Sequence, residues 1–299
     1  MKEIVVLSGK GGTGKTSLVA CLAALADRKV LADCDVDAAD LHLVLAPRML
    51  QREEFRGGKQ AYILPDRCAA CGECAVYCRF DAVRFDGPAT QVVGKTYRVD
   101  PIACEGCGVC VHVCPAQAVE LAPAVSGEWY VSETRHGPLV HARLGPAGEN
   151  SGKLVTIVRN GARDIAEARS LDLVIVDGAP GIGCPVIASM AGASMVLGVA
   201  EATLSGKHDI ERLAGLAVHF GIPMLVCINK ADLNAEVTAA MNGWCRMRGI
   251  SVVGSIPYDR RFSEAQAQGK SLLELGDGVT ARAVRALWRE TRTALESRR

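Results

Sequence analysis

Apolar residues fall in short unbroken runs, separated by stretches rich in glycine or charge. That is the pattern of strands buried on both faces rather than one. The first runs cover residues 2–7 and 30–33. Four more come late, at 171–176 (LDLVIV), 194–199, 224–228 and 252–256. Each predicts a central strand of a parallel sheet. Helical periodicity over 17–27, 207–220, 234–248 and 279–296 predicts the covering helices. Alternating strands and helices predict an α/β fold with a doubly wound, mostly parallel sheet.

The middle breaks this rhythm. Between about 65 and 121 the chain repeats itself at an offset of 36. Cys68, Cys71, Cys74 and Cys78 match Cys104, Cys107, Cys110 and Cys114. Gly72 matches Gly108, and Ala82–Val83 match Ala118–Val119. A duplicated small unit spliced between two strands of a larger sheet is the simplest reading. It predicts a first part over 1–60, an inserted α+β unit over 61–122, and a return to the main domain over 123–299. Residues 129–144 predict a β-hairpin turning near 136–138. The stretch 145–152 (GPAGENSG) predicts a mobile loop.

Composition adds limits. Hydrophobic residues make up 49% and charged residues 22%, enough for a substantial core. The formal charge of +1 gives no bulk attraction to nucleic acid or membrane, and no direct nucleic-acid binding is expected. No run approaches about 18 apolar residues, so no membrane span is expected. No cleavage-site pattern follows residues 1–7, so a cytoplasmic home follows by default. The final helix sets Arg282, Arg285, Arg289 and Arg292 against Val284, Leu287, Trp288 and Leu295. Its apolar face is expected to pack on the sheet rather than on a membrane.

Candidate chemistry begins with Gly9-Lys10-Gly11-Gly12-Thr13-Gly14-Lys15-Thr16, followed by Ser17. It fits G-x-x-x-x-G-K-S/T between a strand and a helix. Glycines let backbone N–H groups turn inward around phosphate oxygens, and the helix N-terminus adds a favourable dipole. Lys15 is placed to neutralise the β- and γ-phosphates, and the Thr16 hydroxyl to ligate Mg²⁺. Val174-Ile175-Val176-Asp177 ends an apolar run in a carboxylate, which would hold Mg²⁺ through water. Asp33 and Asp37 also read as helix caps or a solvated turn.

With Lys10, the loop KGGTGKT resembles the deviant Walker A motif of the MinD/ParA family of P-loop NTPases. The resemblance covers most of the chain outside the insertion. It implies an ATP-dependent homodimer in which Lys10 reaches the partner's phosphates. By position, Asp35 matches the residue that orients the attacking water. Residues 178–181 resemble switch II. Asn229, followed by Lys230, matches the asparagine that contacts adenine. An N-K-x-D run also reads guanine in GTPases, but the deviant loop favours ATP. The family implies slow hydrolysis stimulated by a partner.

The spacing C-x2-C-x2-C-x3-C occurs twice, and Pro115 follows the second run. This is the bacterial-ferredoxin pattern, in which the fourth cysteine of each run serves the other cluster. One 4Fe–4S cluster is therefore assigned to Cys68, Cys71, Cys74 and Cys114, the other to Cys104, Cys107, Cys110 and Cys78. Arg79 stands where the first run would carry proline. Zinc is the rival metal, but its cysteines usually come in separated pairs. Each oxidised cluster with four thiolates carries about −2, so a loaded chain is mildly acidic, about −3. The combination resembles the MinD-like ATPases that carry an inserted ferredoxin domain.

Cys184 follows Asp177 at the offset where the nitrogenase iron protein places a ligand for a cluster shared between subunits; a buried or merely interfacial thiol is the competing reading. Cys21, Cys227 and Cys245 read as core, and Cys34 as turned away from its acidic neighbours. The expected function is an ATP-hydrolysing dimeric switch coupling nucleotide state to electron transfer or to a redox or regulatory partner. Two alternatives stand. One is an iron–sulfur carrier, disfavoured because no late C-x-x-C is present. The other is a MinD/ParA-like positioning ATPase for division or partitioning.

Overall fold

A computed structural model describes residues 1–145 and 151–297. Its strands are β1 (Lys2–Ser8), β2 (Lys29–Asp33), β3 (Arg48–Phe55), β4 (Gly58–Ile63), β5 (Val83–Gly87), β6 (Thr96–Val99), β7 (Val119–Ala124), β8 (Gly127–Thr134) and β9 (Gly137–Leu144). β10 (Leu173–Pro180), β11 (Met195–Glu201), β12 (Met224–Asn229) and β13 (Ser251–Ile256) complete the series. Contacts divide the described chain into two compact units.

The larger unit holds Met1–Glu53, Trp129–Arg143 and Ser151 onward. Its nine-stranded sheet runs β13-β12-β11-β1-β10-β2-β9-β8-β3. From β13 through β2 to β9 every neighbouring pair is parallel. β8 and β9 are adjacent and joined by two residues, the connection of an antiparallel hairpin. The fold is thus α/β around a large, mostly parallel sheet. Ile4, Val6, Leu31, Ile175, Leu197 and Cys227 build one core with the helix Lys15–Leu25 and with Val284, Leu287 and Trp288 of the helix Val279–Glu296.

Several sequence expectations shift. The run 252–256 forms an edge strand rather than a central one. It reads as buried because the helix Val279–Glu296 covers it, so closely that a Cβ on Gly254 would meet Leu287 Cδ1 at 2.7 Å. The stretch 145–152 lies outside the described residues at 146–150. From Ser151 the chain is helical through Ala168, an element the sequence reading missed. Among the described residues, no helix is long and apolar enough to cross a membrane.

The smaller unit comprises Glu54–Glu128 with Leu144 and Gly145. It is wider than 61–122 because β4 pairs with β7 from Gly58↔Ala124 to Ile63↔Val119. A second antiparallel pair joins β5 and β6. Each cysteine run leads into a short helix, Glu73–Val76 or Val109–Val113. The small core is Ala61, Cys74, Val99 and Val119, with Cys104, Cys110 and Cys114 packed against it.

Candidate functional site

In the parallel sheet the carboxyl ends of the strands share one edge, and the loops that follow them gather there. The first is the glycine loop after β1. Gly12 and Gly14 sit at φ 79° and 87°, a left-handed conformation open to glycine at little cost. At the end of β12, Asn229 Nδ2 donates to Thr13 O at 2.7 Å, and its Oδ1 accepts from Lys230 N at 3.0 Å. A Cβ on Gly14 would stand 2.4 Å from that Nδ2, so glycine is required for space as well as for φ. An amide retains another N–H and a lone pair.

Lys15 begins the first helix and is buried. Its Nζ lies 2.5 Å from Asp177 Oδ1 and 3.6 Å from Asp35 Oδ2. The β2–β10 register sets Asp33 directly beside Asp177. Burial pulls the Lys15 ammonium down, but Asp177, Asp35 and Asp33 outweigh it and hold it above its ordinary value. Asp33 is raised well above the carboxylate range, first by burial and then by Asp177. It accepts N–H bonds from Asp35 at 3.2 Å and Leu41 at 3.1 Å. Asp35 is also raised, mainly by burial, with Lys15 opposing. Asp37 is exposed. Asp177 Oδ2 and Thr13 Oγ1 are buried without a protein partner. A buried carboxylate oxygen left free beside a phosphate-type loop suits a hydrated cation.

Lys10 Nζ rests 3.2 Å from Glu201 Oε2 and 3.1 Å from Ser205 Oγ. Glu201 Oε1 pairs with Lys230, whose Nζ also donates to Gly12 O at 3.2 Å. The sequence reading missed Glu201; its signal was a lone carboxylate ending an apolar run, as at Asp177. A cavity of about 490 Å³ opens over the loop, lined by Lys10–Leu18, Asp35, Asn229 and Lys230. Tyr258, Asp259 and Phe262 form its far wall. They were also missed, though they follow β13 at the same edge. The arrangement sets a buried ammonium, with a free carboxylate oxygen beside it, at the glycine loop.

In the smaller unit the eight grouped cysteines divide between two small cavities. Cys68, Cys71, Cys74 and Cys114 line one, and Cys104, Cys107, Cys110 and Cys78 line the other. Each set takes three cysteines from one run and the last from the other. Burial pushes the Cys74 thiol up to about 11, with Cys68, Cys114 and Cys71 adding to the shift. Cys110 is raised by burial, then by Cys104 and Cys107. Among the described residues, no three His, Cys, Asp or Glu side chains converge as around one metal ion. A single zinc needs its ligands at one centre, whereas a cubane offers a separate iron to each thiolate. Each cavity thus gathers four thiols drawn from both runs.

Cys184 is exposed at the start of the helix Cys184–Met190. Cys21, Cys227 and Cys245 are buried, with burial pushing their thiols up to about 12, 12 and 11. Cys34 is buried and its Sγ faces Val155 O at 4.0 Å.

Comparison with known proteins agrees with this geometry. The uncharacterized protein MJ0578 of Methanocaldococcus jannaschii is 33% identical over 238 residues, covering 78% of this chain and 79% of that one. Among solved structures, the cell division ATPase MinD of Pyrococcus furiosus aligns at TM-score 0.57 and 18% identity, covering 98% of this chain and 99% of that one. The septum site-determining protein MinD of Pyrococcus horikoshii, complexed with Mg-ADP, aligns at TM-score 0.59 and 14% identity, covering 100% and 98%. At these identities the structural likeness is one of fold. The family described as the CobQ/CobB/MinD/ParA nucleotide binding domain matches residues 4–273, and the chain belongs to it.

Proposed function

We propose that the protein is an ATP-binding, slowly hydrolysing dimeric switch that carries two 4Fe–4S clusters and couples its nucleotide state to electron transfer or partner binding. The observation that carries this reading is the coexistence of the loop cavity and the two four-cysteine cavities in one chain.

Residues 9–17 would cradle the phosphates with backbone N–H groups, and Lys15 would neutralise the β- and γ-phosphates. Thr16 and Asp177 would hold Mg²⁺, Asp177 through water, and the ion would offset phosphate charge. Asp35 would orient the attacking water. Lys10 would leave Glu201 to reach the partner subunit's nucleotide. Asn229 would use its remaining amide capacity on adenine, with Lys230 beside it. The cysteines Cys68, Cys71, Cys74 and Cys114 would hold one cluster, and Cys104, Cys107, Cys110 and Cys78 the other. Clusters so held supply one-electron exchange.

The test is oxygen-free purification followed by iron and sulfide assay, EPR of the dithionite-reduced protein and sizing, each with and without Mg-ATP. About eight irons per chain, and spectra or dimerisation that respond to nucleotide, support the coupled switch. Little iron, or zinc in its place, leaves a nucleotide switch without redox chemistry. The MinD-like fold favours one second reading, a positioning ATPase. Cell imaging with and without Lys15→Ala tests it: a nucleotide-dependent localised pattern supports positioning, and uniform distribution in both opposes it.

A further inference from the structure

The 36-residue repeat copies the cysteines and the backbone but not their surroundings. Gly72 and Gly108 are equivalent positions. Both are left-handed, at φ 86° and 79°, and both cap the short helix inside their run. What stands over them differs. A Cβ on Gly72 would lie 2.9 Å from the Tyr97 hydroxyl oxygen, whereas one on Gly108 would lie 3.0 Å from Leu121 Cδ1. Tyr97 also lines the cavity of Cys68, Cys71, Cys74 and Cys114. One site thus has a hydroxyl donor beside it where the other has a methyl group.

Resting on the cluster reading above, we propose that Tyr97 is a positioning residue for electron storage. Its hydroxyl makes the site of Cys68, Cys71, Cys74 and Cys114 the easier of the two to reduce. Reduction adds negative charge, which a hydroxyl donor stabilises and a methyl group does not. One electron from a low-potential one-electron donor comes to rest at the Tyr97 site, and no bond or proton changes hands. A hydrogen bond of ordinary net strength changes this equilibrium roughly tenfold, which for one electron is about 59 mV.

The experiment is an EPR-monitored dithionite titration of the full chain, purified without oxygen and assayed for iron and sulfide. Wild type is expected to reduce in two separated one-electron steps. Tyr97→Phe keeps the ring and should lower only the upper step, by about 59 mV. Coincident steps in wild type overturn the proposal, as does a Tyr97→Phe variant that leaves the upper step in place. A chain that holds no iron overturns the cluster reading and this inference with it. About eight irons with unmoved potentials overturn the role of Tyr97 alone.

Discussion

Lys15 is the residue on which most of the nucleotide site depends, and it acts before any nucleotide arrives. Its ammonium is the cation beside Asp177 and Asp35. Removing one member of a buried ion pair leaves the other uncompensated, at a cost of about 3–5 kcal/mol. Lys15→Ala should therefore lower the nucleotide-free melting temperature as well as hydrolysis. Calorimetry would show it, and an unchanged melting temperature would refute the view of Lys15 as a structural cation. Gly14→Ala makes a separate prediction. The new Cβ needs the space of Asn229 Nδ2 and a positive φ. We expect a loss of about 1–3 kcal/mol, with weakened binding of a fluorescent ATP analogue. Lys15 and Asp177 were legible in the sequence as two separate motifs, but not that they pair. The Glu201 bridge was not, because a lone carboxylate after a strand carries no spacing signal.

His141 on β9 belongs to the same scale. It is enclosed by the rings of His42 and Tyr130 and lies 3.0 Å from Ser132 Oγ. Burial, with His42 adding, pulls its pKa down to about 4. An imidazole held below its unfolded value near 6.5 leaves stability intact above pH 6.5. Stability then falls as pH drops from about 6.5 toward about 4, because only the unfolded chain takes up the proton. The loss is on the order of 3 kcal/mol. Urea titrations of His141→Phe across this window should show a flatter pH dependence than wild type; an equal slope would assign the effect elsewhere.

At the scale of elements, strands were easier to find than their neighbours. β1, β10, β11 and β12 are continuous apolar runs buried on both faces, so each announces itself. The helix Val279–Glu296 has the bounds read from its periodicity, because its buried Val284, Leu287, Trp288 and Leu295 recur at helical spacing. The helix Ser151–Ala168 carries the same signal in Leu154, Val155, Val158 and Ala162. It was hidden by the glycines before it and by Arg159, a charged residue on the buried face. Arg159 pairs there with Glu3 Oε1 at 2.7 Å and donates Nη1 to the carbonyls of Ala188 and Ala191, partners distant in sequence, while its Nη2 is left without one. The docking of the last helix has a direct test. Leu287→Ala should cost about 2–5 kcal/mol, read by denaturant unfolding, since Leu287 is fully buried against Gly254.

At the scale of the whole molecule, the two units rest on different physics. The larger has an extensive aliphatic core, whereas the smaller is centred on Ala61, Cys74, Val99 and Val119, with Ile63, Val83, Tyr97, Val111, Leu121 and three further cysteines packed against them. A core that small usually needs a metal to fold. Where the cysteines hold the proposed clusters, a chelator under reducing conditions should therefore abolish the structure of Glu54–Glu128 while nucleotide binding by the larger unit survives. Hydrogen exchange resolved by peptide would show protection lost only in the smaller unit; protection retained there would mean that its cysteines fold without metal. The repeat made this unit legible in sequence. Its width was not, since Gly58 and Ala124 pair through backbone alone.

The strand order also sets a timetable for synthesis. β1 ends at Ser8, yet its two neighbours in the sheet are β10, which begins at Leu173, and β11, which begins at Met195. A ribosome adding roughly 5–20 residues per second needs on the order of ten to thirty seconds to reach them. Through that interval an apolar strand and its glycine loop wait without partners, a substrate for chaperones. The smaller unit is contiguous in sequence apart from its last residues and is complete in the nascent chain well before β10 emerges. Its eight grouped cysteines can thus come together while the nucleotide site is still unmade.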